Sequence, residues 1–332
     1  MSPAPPVIIV LNYTTRDLIE RCITSIKYSQ KPGSYRLIVI DNGSKDDSPE
    51  FLSSRAWELL GVKPEPLEVP DVTLTANTKR EREDKPGEWY KTTMEKTFKT
   101  VKAFRSDDVA IALLDQNYRW EGGVNYGIDL AEKLWPGSDF ILLGSDAQLF
   151  RSTIEELQRA VELHPRIGLV SAKLVGKVGE RLFVRFGGSR ELAGKEHVVD
   201  WQDSPGDPDD PDNIHLFKEQ RWLTGSCLYI RNQAFKDCGF LDMSFYIYAG
   251  DSSFCKTARQ HNWACVYAPT AMAMHEDGRT VALVKRETSK EEWDRQQGYE
   301  MTHHHCLWMD EFVPYPLLPP GVFNDANTWP GR

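Results

Sequence analysis

Three acidic residues and one histidine stand where side chains could do chemistry. In "FILLGSDAQLF" (140–150) an apolar run that reads as a buried strand ends in Asp146. A carboxylate there must be paired, bound to a cation or turned toward water, because desolvating a lone charge is costly. Asp41 ends the β-branched run of "RLIVIDNGS" in the same way. In "FYIYAGDSSFCKTARQHNWACVYAPTAMAMHEDG", Asp251 precedes a helix marked by Phe254, Cys255 and Ala258, and the strand "ACVYAP" leads on to His275. Carboxylates and imidazoles delivered at the edges of ordered elements suit cation binding or proton transfer. Taken singly, each also has an ordinary role, as a solvated turn at Asp146, a helix cap at Asp251 and a core histidine at His275.

The elements that must carry these residues alternate. Val7 to Leu11 reads as a strand, and "TTRDLIERCITSIKYSQ" then places Leu18, Ile19, Cys22, Ile23 and Ile26 on one helical face. Leu37 to Ile40, Val109 to Leu114 and Ile141 to Leu143 read as further strands. Ser48 and Pro49 open a helix, "GGVNYGIDLAEKLW" forms another, and Ser152 with Glu155 makes a capping box for a third. Strands alternating with helices predict a mostly parallel sheet. Asn12, Asp41, Asn117 and Asp146 all follow strand ends, the edge at which open α/β sheets bind ligands.

The second half is richer in strands and more antiparallel in character. The reading is one continuous unit over 1–280, with halves 1–150 and 151–280, a charged insertion at about 64–108, and an extension over 281–332 that is helical and then Pro-rich. Within the insertion, Lys79 to Arg105 holds nine Lys/Arg against five Asp/Glu. Met94, Phe98 and Val101 fall on one face of an expected helix there, with Lys91, Lys99 and Lys102 around it. That pattern fits a solvated surface helix or flap, or docking on an anionic membrane surface. "DSPGDPDDPDN" from Asp203 reads as a mobile loop.

Composition narrows the classes. A chain of 332 residues with 40% hydrophobic and 11% aromatic content builds a proper core. Its charge of −9, from 40 basic and 49 acidic residues, argues against nucleic acid as a partner. Six cysteines without a C-x-x-C pair indicate neither a zinc knuckle nor a disulfide framework, and fit a reducing compartment. No signal or spanning segment is evident, so a cytoplasmic location is expected, or a peripheral one at the cytoplasmic face of a membrane.

The order of motifs resembles the inverting glycosyltransferases of family 2, and among them the rhamnosyltransferase-like branch. The pieces are "VIIVLNY", "LIVIDNGSKDDS", "NYRWEGGVNYGIDLA", "ILLGSDAQL", "HPRIGLVSAKL", "WLTGSCLYIRNQAF", "CGFLDMSFYIYAGDSSFCKTARQHNWACVYAP" and "AMAMHEDG", spread over about residues 6 to 280. The resemblance implies the α/β GT-A nucleotide-sugar fold, with a nucleotide-sugar-binding first half and a smaller, antiparallel-rich acceptor half. It implies a UDP- or dTDP-sugar donor, dTDP-rhamnose among them, and a glycan or lipid-linked saccharide acceptor. Asp41 then contacts the nucleobase, with Asn12, Tyr13 and Asn42 in the same pocket. Gly122, Gly123 and Asn125 match a glycine-rich turn near the nucleotide-sugar, with Arg119 and Trp120 close by. Asp146 matches the acid of a DXD-type motif holding Mg²⁺ or Mn²⁺, and His275 a histidine that completes the metal or diphosphate site. Asp251 matches the general base, and Trp222 and Gly225 fall on the acceptor side.

The chain departs from the family pattern at Gly144, Gly250 and Ser253, where acids are usual. These departures motivate a second reading, a pseudoenzyme that binds nucleotide-sugar or glycan without turnover. A nucleotidyltransferase or a dehydrogenase is disfavoured, because "LNYTTRDL" has no phosphate-binding glycines after the first strand. His303, His304 and His305 point in different directions on a helix or a strand and are not expected to chelate one ion.

Overall fold

The computed structural model describes residues 4–178, 181–187, 190–191, 199–200, 215–245, 248–276, 279–297 and 315–327. The Asp203 segment, Cys306 and the three consecutive histidines lie outside the described residues.

The β-branched runs form the centre of a twelve-stranded sheet. Val7–Asn12 lies between Phe140–Gly144 and Arg36–Asp41, parallel to both, and Val109–Leu114 adds on the far side of Arg36–Asp41, again parallel. The first strand is buried throughout, which is why it reads as an uninterrupted apolar run rather than an alternating one. Helix Arg16–Ser29 buries the five residues that its period picked out, Leu18, Ile19, Cys22, Ile23 and Ile26. Each of the Leu and Ile side chains contributes about 1.5–3 kcal/mol on burial.

Helix Arg119–Leu134 packs directly on the first strand. A Cβ at Gly123 would stand 2.4 Å from Leu11 Cδ1, and one at Gly127 would stand 2.4 Å from Ile9 Cγ2. These two glycines set how closely the helix approaches, and with it the position of the helix's first turn.

The sheet continues into the second half. Cys227–Ile230 pairs antiparallel with Phe140–Gly144, Ile167–Val178 pairs antiparallel with Cys227–Ile230, and Ala264–His275 runs parallel to Ile167–Val178. This order brings the start of Cys227–Ile230 and the end of Ala264–His275 to the edge where the parallel strands of the first half also end. The short strand Ala147–Leu149 closes that edge by pairing with Ala273, Met274 and His275.

Local expectations are corrected at three places. The insertion holds no helix over Met94, Phe98 and Val101. It is a long antiparallel hairpin, Val72–Arg82 with Lys85–Phe98, followed by the separate strand Thr100–Arg105. Exposure along Lys91–Phe98 alternates residue by residue, the period of a strand rich in Thr and aromatic residues. Ser152 does not cap its helix through a side chain, since it sits at φ +65°, and Gln30 Oε1 accepts from the Ile154 N–H at 3.2 Å instead. The helix expected to open at Ser48 and Pro49 is capped one residue earlier, at Asp47.

Candidate functional site

The ends of the first two strands meet in a polar cluster. Asn12 and Asp41 are opposed in the parallel register, and Asn12 Nδ2 donates to Asp41 Oδ2 at 2.9 Å. The Ser44 N–H donates to Asp41 Oδ1 at 3.0 Å, and the Thr14 N–H donates to Ser44 Oγ at 2.8 Å. Burial pushes the Asp41 carboxyl above the ordinary range, while the Ser44 and Asn12 donors oppose that shift. The turn is glycine-dependent, because Gly43 has φ +74° and its added Cβ would fall 2.4 Å from the backbone carbon of Gln116. Asn42 ties this turn to the next loop, donating to Asn117 Oδ1 and to the Arg119 carbonyl, both at 3.0 Å, and accepting from the Tyr118 N–H at 2.9 Å.

Tyr13 lies beside this cluster and is 6% exposed. Its hydroxyl donates to Glu287 of helix Arg279–Glu287, which also receives Lys45 Nζ at 3.4 Å. The extension therefore reaches the Tyr13 side of the sheet edge.

Asp146 follows the strand Phe140–Gly144, and His275 ends the strand Ala264–His275. His275 Nε2 stands 3.4 Å from Asp146 Oδ1, with the two side chains 13% and 12% exposed. Backbone pairing fixes the encounter, since the Glu276 N–H donates to the Asp146 carbonyl at 2.9 Å. The Gly144 departure has a local cause: a Cβ there would lie 2.5 Å from Asp146 Oδ1, so the carboxylate folds back over the glycine. Ser145 and Thr15, whose hydroxyls are 2.8 Å apart, bind this turn to the first strand's loop.

Asp251 is the second residue of helix Gly250–Gln260 and half-buried. Its Oδ2 accepts from the Gly225 N–H at 2.9 Å and its Oδ1 from the Ser252 N–H at 2.7 Å. Burial raises its carboxyl pKa and these backbone donors work against the rise. Gly225 leaves room for both Asp251 and Trp120: its added Cβ would lie 3.4 Å from Asp251 Cβ and 3.3 Å from Trp120 Nε1.

Asn12, Tyr13, Asp41, Asn42, Asp146, His275, Asp251 and Gly225 thus share one edge of the sheet. The other candidates make different contacts. Asn125 is wholly buried and clamps Leu241, donating to its carbonyl at 2.8 Å and accepting from its N–H at 2.9 Å. Gly122 faces Tyr118; Gly123 faces Leu11 and also borders the cluster, an added Cβ falling 3.2 Å from Asn42 Nδ2; and Trp222 packs on Phe186 with ring centroids 5.5 Å apart. Sequence reading missed Ser44, Lys45, Glu121 and Glu287. Only Glu121 left a signal, an acid in the first turn of a helix that otherwise buries small and apolar residues.

Strain gathers at the same edge. Among the described residues five non-glycine residues have positive φ, and three of them, Thr14 (+52°), Arg119 (+68°) and Ala249 (+67°), flank the polar cluster or Asp251. No group of three or more His, Cys, Asp or Glu arranged to hold a metal occurs among the described residues.

Residues 7–64 match the glycosyl transferase family 2 profile. A low-salt glycan biosynthesis hexosyltransferase, Agl10 of Haloferax volcanii, is 25% identical over 166 residues, 47% of this chain and 48% of that protein. An N-acetylglucosaminyl-diphospho-decaprenol L-rhamnosyltransferase of Mycobacterium tuberculosis is 35% identical over 54 residues, 16% of this chain and 18% of that protein. The matches thus span half or less of these relatives. Among solved structures, the mannosyltransferase PcManGT of Pyrobaculum calidifontis with GDP-Man and Mn²⁺ superposes at TM-score 0.53 with 14% identity, covering 98% of this chain and 72% of that one. GalNAc-T7 with UDP, GalNAc and Mn²⁺ superposes at 0.52 with 12% identity, covering 82% and 44%. The chain therefore has the GT-A glycosyltransferase fold, opens on a family 2 segment and resembles the rhamnosyltransferase-like members of that family.

Proposed function

We propose that the protein transfers a sugar from a UDP- or dTDP-sugar to a hydroxyl of a glycan or lipid-linked saccharide, with inversion at the anomeric carbon. The observation that carries the reading is the convergence of three carboxylates, Asp41, Asp146 and Asp251, on one sheet edge, each held by a different partner set. The name of the mycobacterial relative pairs a rhamnosyl donor with a lipid-linked acceptor, which supports extending both classes to this chain. With a lipid-linked acceptor, contact with the cytoplasmic face of a membrane would be peripheral.

In this reading Asp41 accepts from the imide N–H of uracil or thymine through an unused lone pair, with Tyr13 and Asn12 beside it. Asp251 takes the proton of the acceptor hydroxyl as that oxygen bonds to the anomeric carbon and the bond to the nucleoside diphosphate breaks. One displacement from the opposite face inverts the configuration. The backbone donors at Gly225 and Ser252 fix the direction of the carboxylate, and burial makes it the more basic.

Asp146 and His275 fit a divalent cation, offering one carboxylate oxygen and one imidazole nitrogen 3.4 Å apart. The nitrogen donor suits Mn²⁺ better than Mg²⁺. When bound, such an ion would stabilise charge on the departing diphosphate.

Thermal shift with UDP, dTDP, GDP and CDP, with and without Mn²⁺, followed by donor hydrolysis, tests the proposal. Stabilisation by UDP or dTDP together with hydrolysis of a matching sugar donor supports it. Nucleotide binding without hydrolysis or transfer for any donor would leave a binding protein, and no nucleotide binding would remove the reading.

A further inference from the structure

Gly250 has no backbone reason to be glycine. Its φ is not in the left-handed region, and it opens an ordinary helix, Gly250–Gln260. The reason lies in space. A Cβ at this position would stand 1.9 Å from Glu121 Oε1, 2.7 Å from Glu121 Cδ and 2.9 Å from Glu121 Cγ, so its three nearest neighbours all belong to one side chain. The Glu121 carboxyl group occupies the volume where a side chain at 250 would begin.

Glu121 is only 1% exposed, and burying a carboxylate is costly enough that such groups are kept where they are held or needed. It stands in the first turn of helix Arg119–Leu134, directly after Trp120, whose indole borders Gly225. Burial and then the nearby Arg119 guanidinium lower the pKa of Lys96 on the hairpin, with Glu121 opposing them. The residue that follows Gly250 is Asp251, and the residue that precedes it is Ala249 at φ +67°. Glu121 thus bears on the first residue of helix Gly250–Gln260, between Ala249 in the left-handed region and Asp251, which carries the candidate base.

We propose that Glu121 is a positioning residue for Asp251: its carboxyl group, entering from helix Arg119–Leu134, fills the cradle at Gly250 and holds the turn that presents Asp251 to the acceptor hydroxyl. The proposal rests on the reading of Asp251 as the base. Gly250 and Glu121 are then one matched pair, in which only one of the two positions can carry a side chain.

The test separates charge from packing through four variants of the full chain. Glu121→Gln keeps the volume and removes the charge; kcat should fall on the order of 10²-fold with the donor KM unchanged, the loss expected when a reacting group is misplaced by about 1 Å. Gly250→Glu alone should lower the melting temperature, because two side chains compete for one space. Glu121→Ala/Gly250→Glu and Glu121→Ala/Gly250→Gln should both recover the melting temperature, but only the first should recover kcat. Wild-type kcat in Glu121→Gln, or equal recovery of kcat by the two double variants, would reduce Glu121 to a packing element and overturn the proposal. Lack of turnover in the wild type is the separate failure of the glycosyltransferase reading, and it removes the proposal with it.

Discussion

The Tyr13 hydroxyl donates a hydrogen bond of 2.5 Å to Glu287 Oε2, joining the residue after the first strand to the last residue of helix Arg279–Glu287. Burial and this carboxylate together raise the Tyr13 pKa, so the hydroxyl keeps its proton and the bond persists across the neutral range. Tyr13 follows Asn12, so in the proposed reading a base entering the Asn12–Asp41 cluster would compete with Glu287 for the Tyr13 hydroxyl. Glu287→Ala should tighten UDP binding roughly fivefold, the equivalent of one hydrogen bond of about 1 kcal/mol no longer to be broken. Calorimetric titration of UDP into both proteins measures this, and unchanged affinity would place the base away from Tyr13.

Asp251→Asn preserves the shape of the side chain and removes its basicity. Transfer should fall 10²- to 10⁴-fold, while UDP binding stays within experimental scatter of the wild type. The pH profile of the wild type carries the same information. Because burial raises the Asp251 pKa, the carboxylate forms only as pH rises through a value above that of an ordinary Asp, about 3.9. The acid limb of kcat/KM should therefore lie above that value and be absent from the residual rate of Asp251→Asn. For stability the sign is the reverse: the raised pKa values of Asp41 and Asp251 favour the folded state below the unfolded value, and that contribution is lost as pH rises through the folded values.

How much of this was legible in the chain follows from the range of the forces involved. The parallel core was plain, because Val7–Asn12, Arg36–Asp41, Val109–Leu114 and Phe140–Gly144 are short apolar runs, ended by Asn12 and Asp41 or followed by Asp115 and Ser145, and burial on both faces leaves no other pattern. The hairpin was not. Met94 and Phe98 are four apart and so share a face in a helix and in a strand alike, and only the residue-by-residue alternation between them tells the two apart. The capping box failed for a long-range reason, since Gln30, just past the end of helix Arg16–Ser29, takes the Ile154 N–H that a cap would take. The Glu121–Gly250 and Tyr13–Glu287 pairs are also contacts between distant segments, about which local propensity says nothing.

Gly144 and Asp146 share one volume, and that makes a gentle probe of the proposed cation site. Gly144→Ala places a methyl group 2.5 Å from the present position of Asp146 Oδ1. The carboxylate is the free end of a side chain and can swing away, so the melting temperature should change little. Its 3.4 Å approach to His275 would be lost, and with it the two-donor geometry. Mn²⁺-dependent stabilisation by UDP should therefore weaken in Gly144→Ala and vanish in Asp146→Ala. Full Mn²⁺ dependence in Asp146→Ala would assign the metal to other residues.

Two glycines of nearly equal φ separate backbone strain from crowding. Gly33 at +77° has nothing within 4 Å of an added Cβ, whereas Gly43 at +74° would meet the Gln116 backbone at 2.4 Å, 2.5 Å and 2.8 Å. Gly33→Ala should thus cost only the left-handed penalty, about 1–2 kcal/mol. Gly43→Ala should cost that and a backbone shift besides, because Gln116 is contacted through main-chain atoms that cannot rotate away. At about 2–4 °C per kcal/mol, the Gly43 variant should melt several degrees below the Gly33 variant. The two should also differ in binding. Gly43 directly follows Asp41 and Asn42, whose side chains fix the loops at Ser44 and Asn117, so displacing it disturbs the cluster proposed to receive the base. UDP affinity should drop in Gly43→Ala and hold in Gly33→Ala. Equal melting temperatures and equal affinities would mean that the Gln116 loop yields freely, and the turn after the second strand would then not be the rigid part of the site.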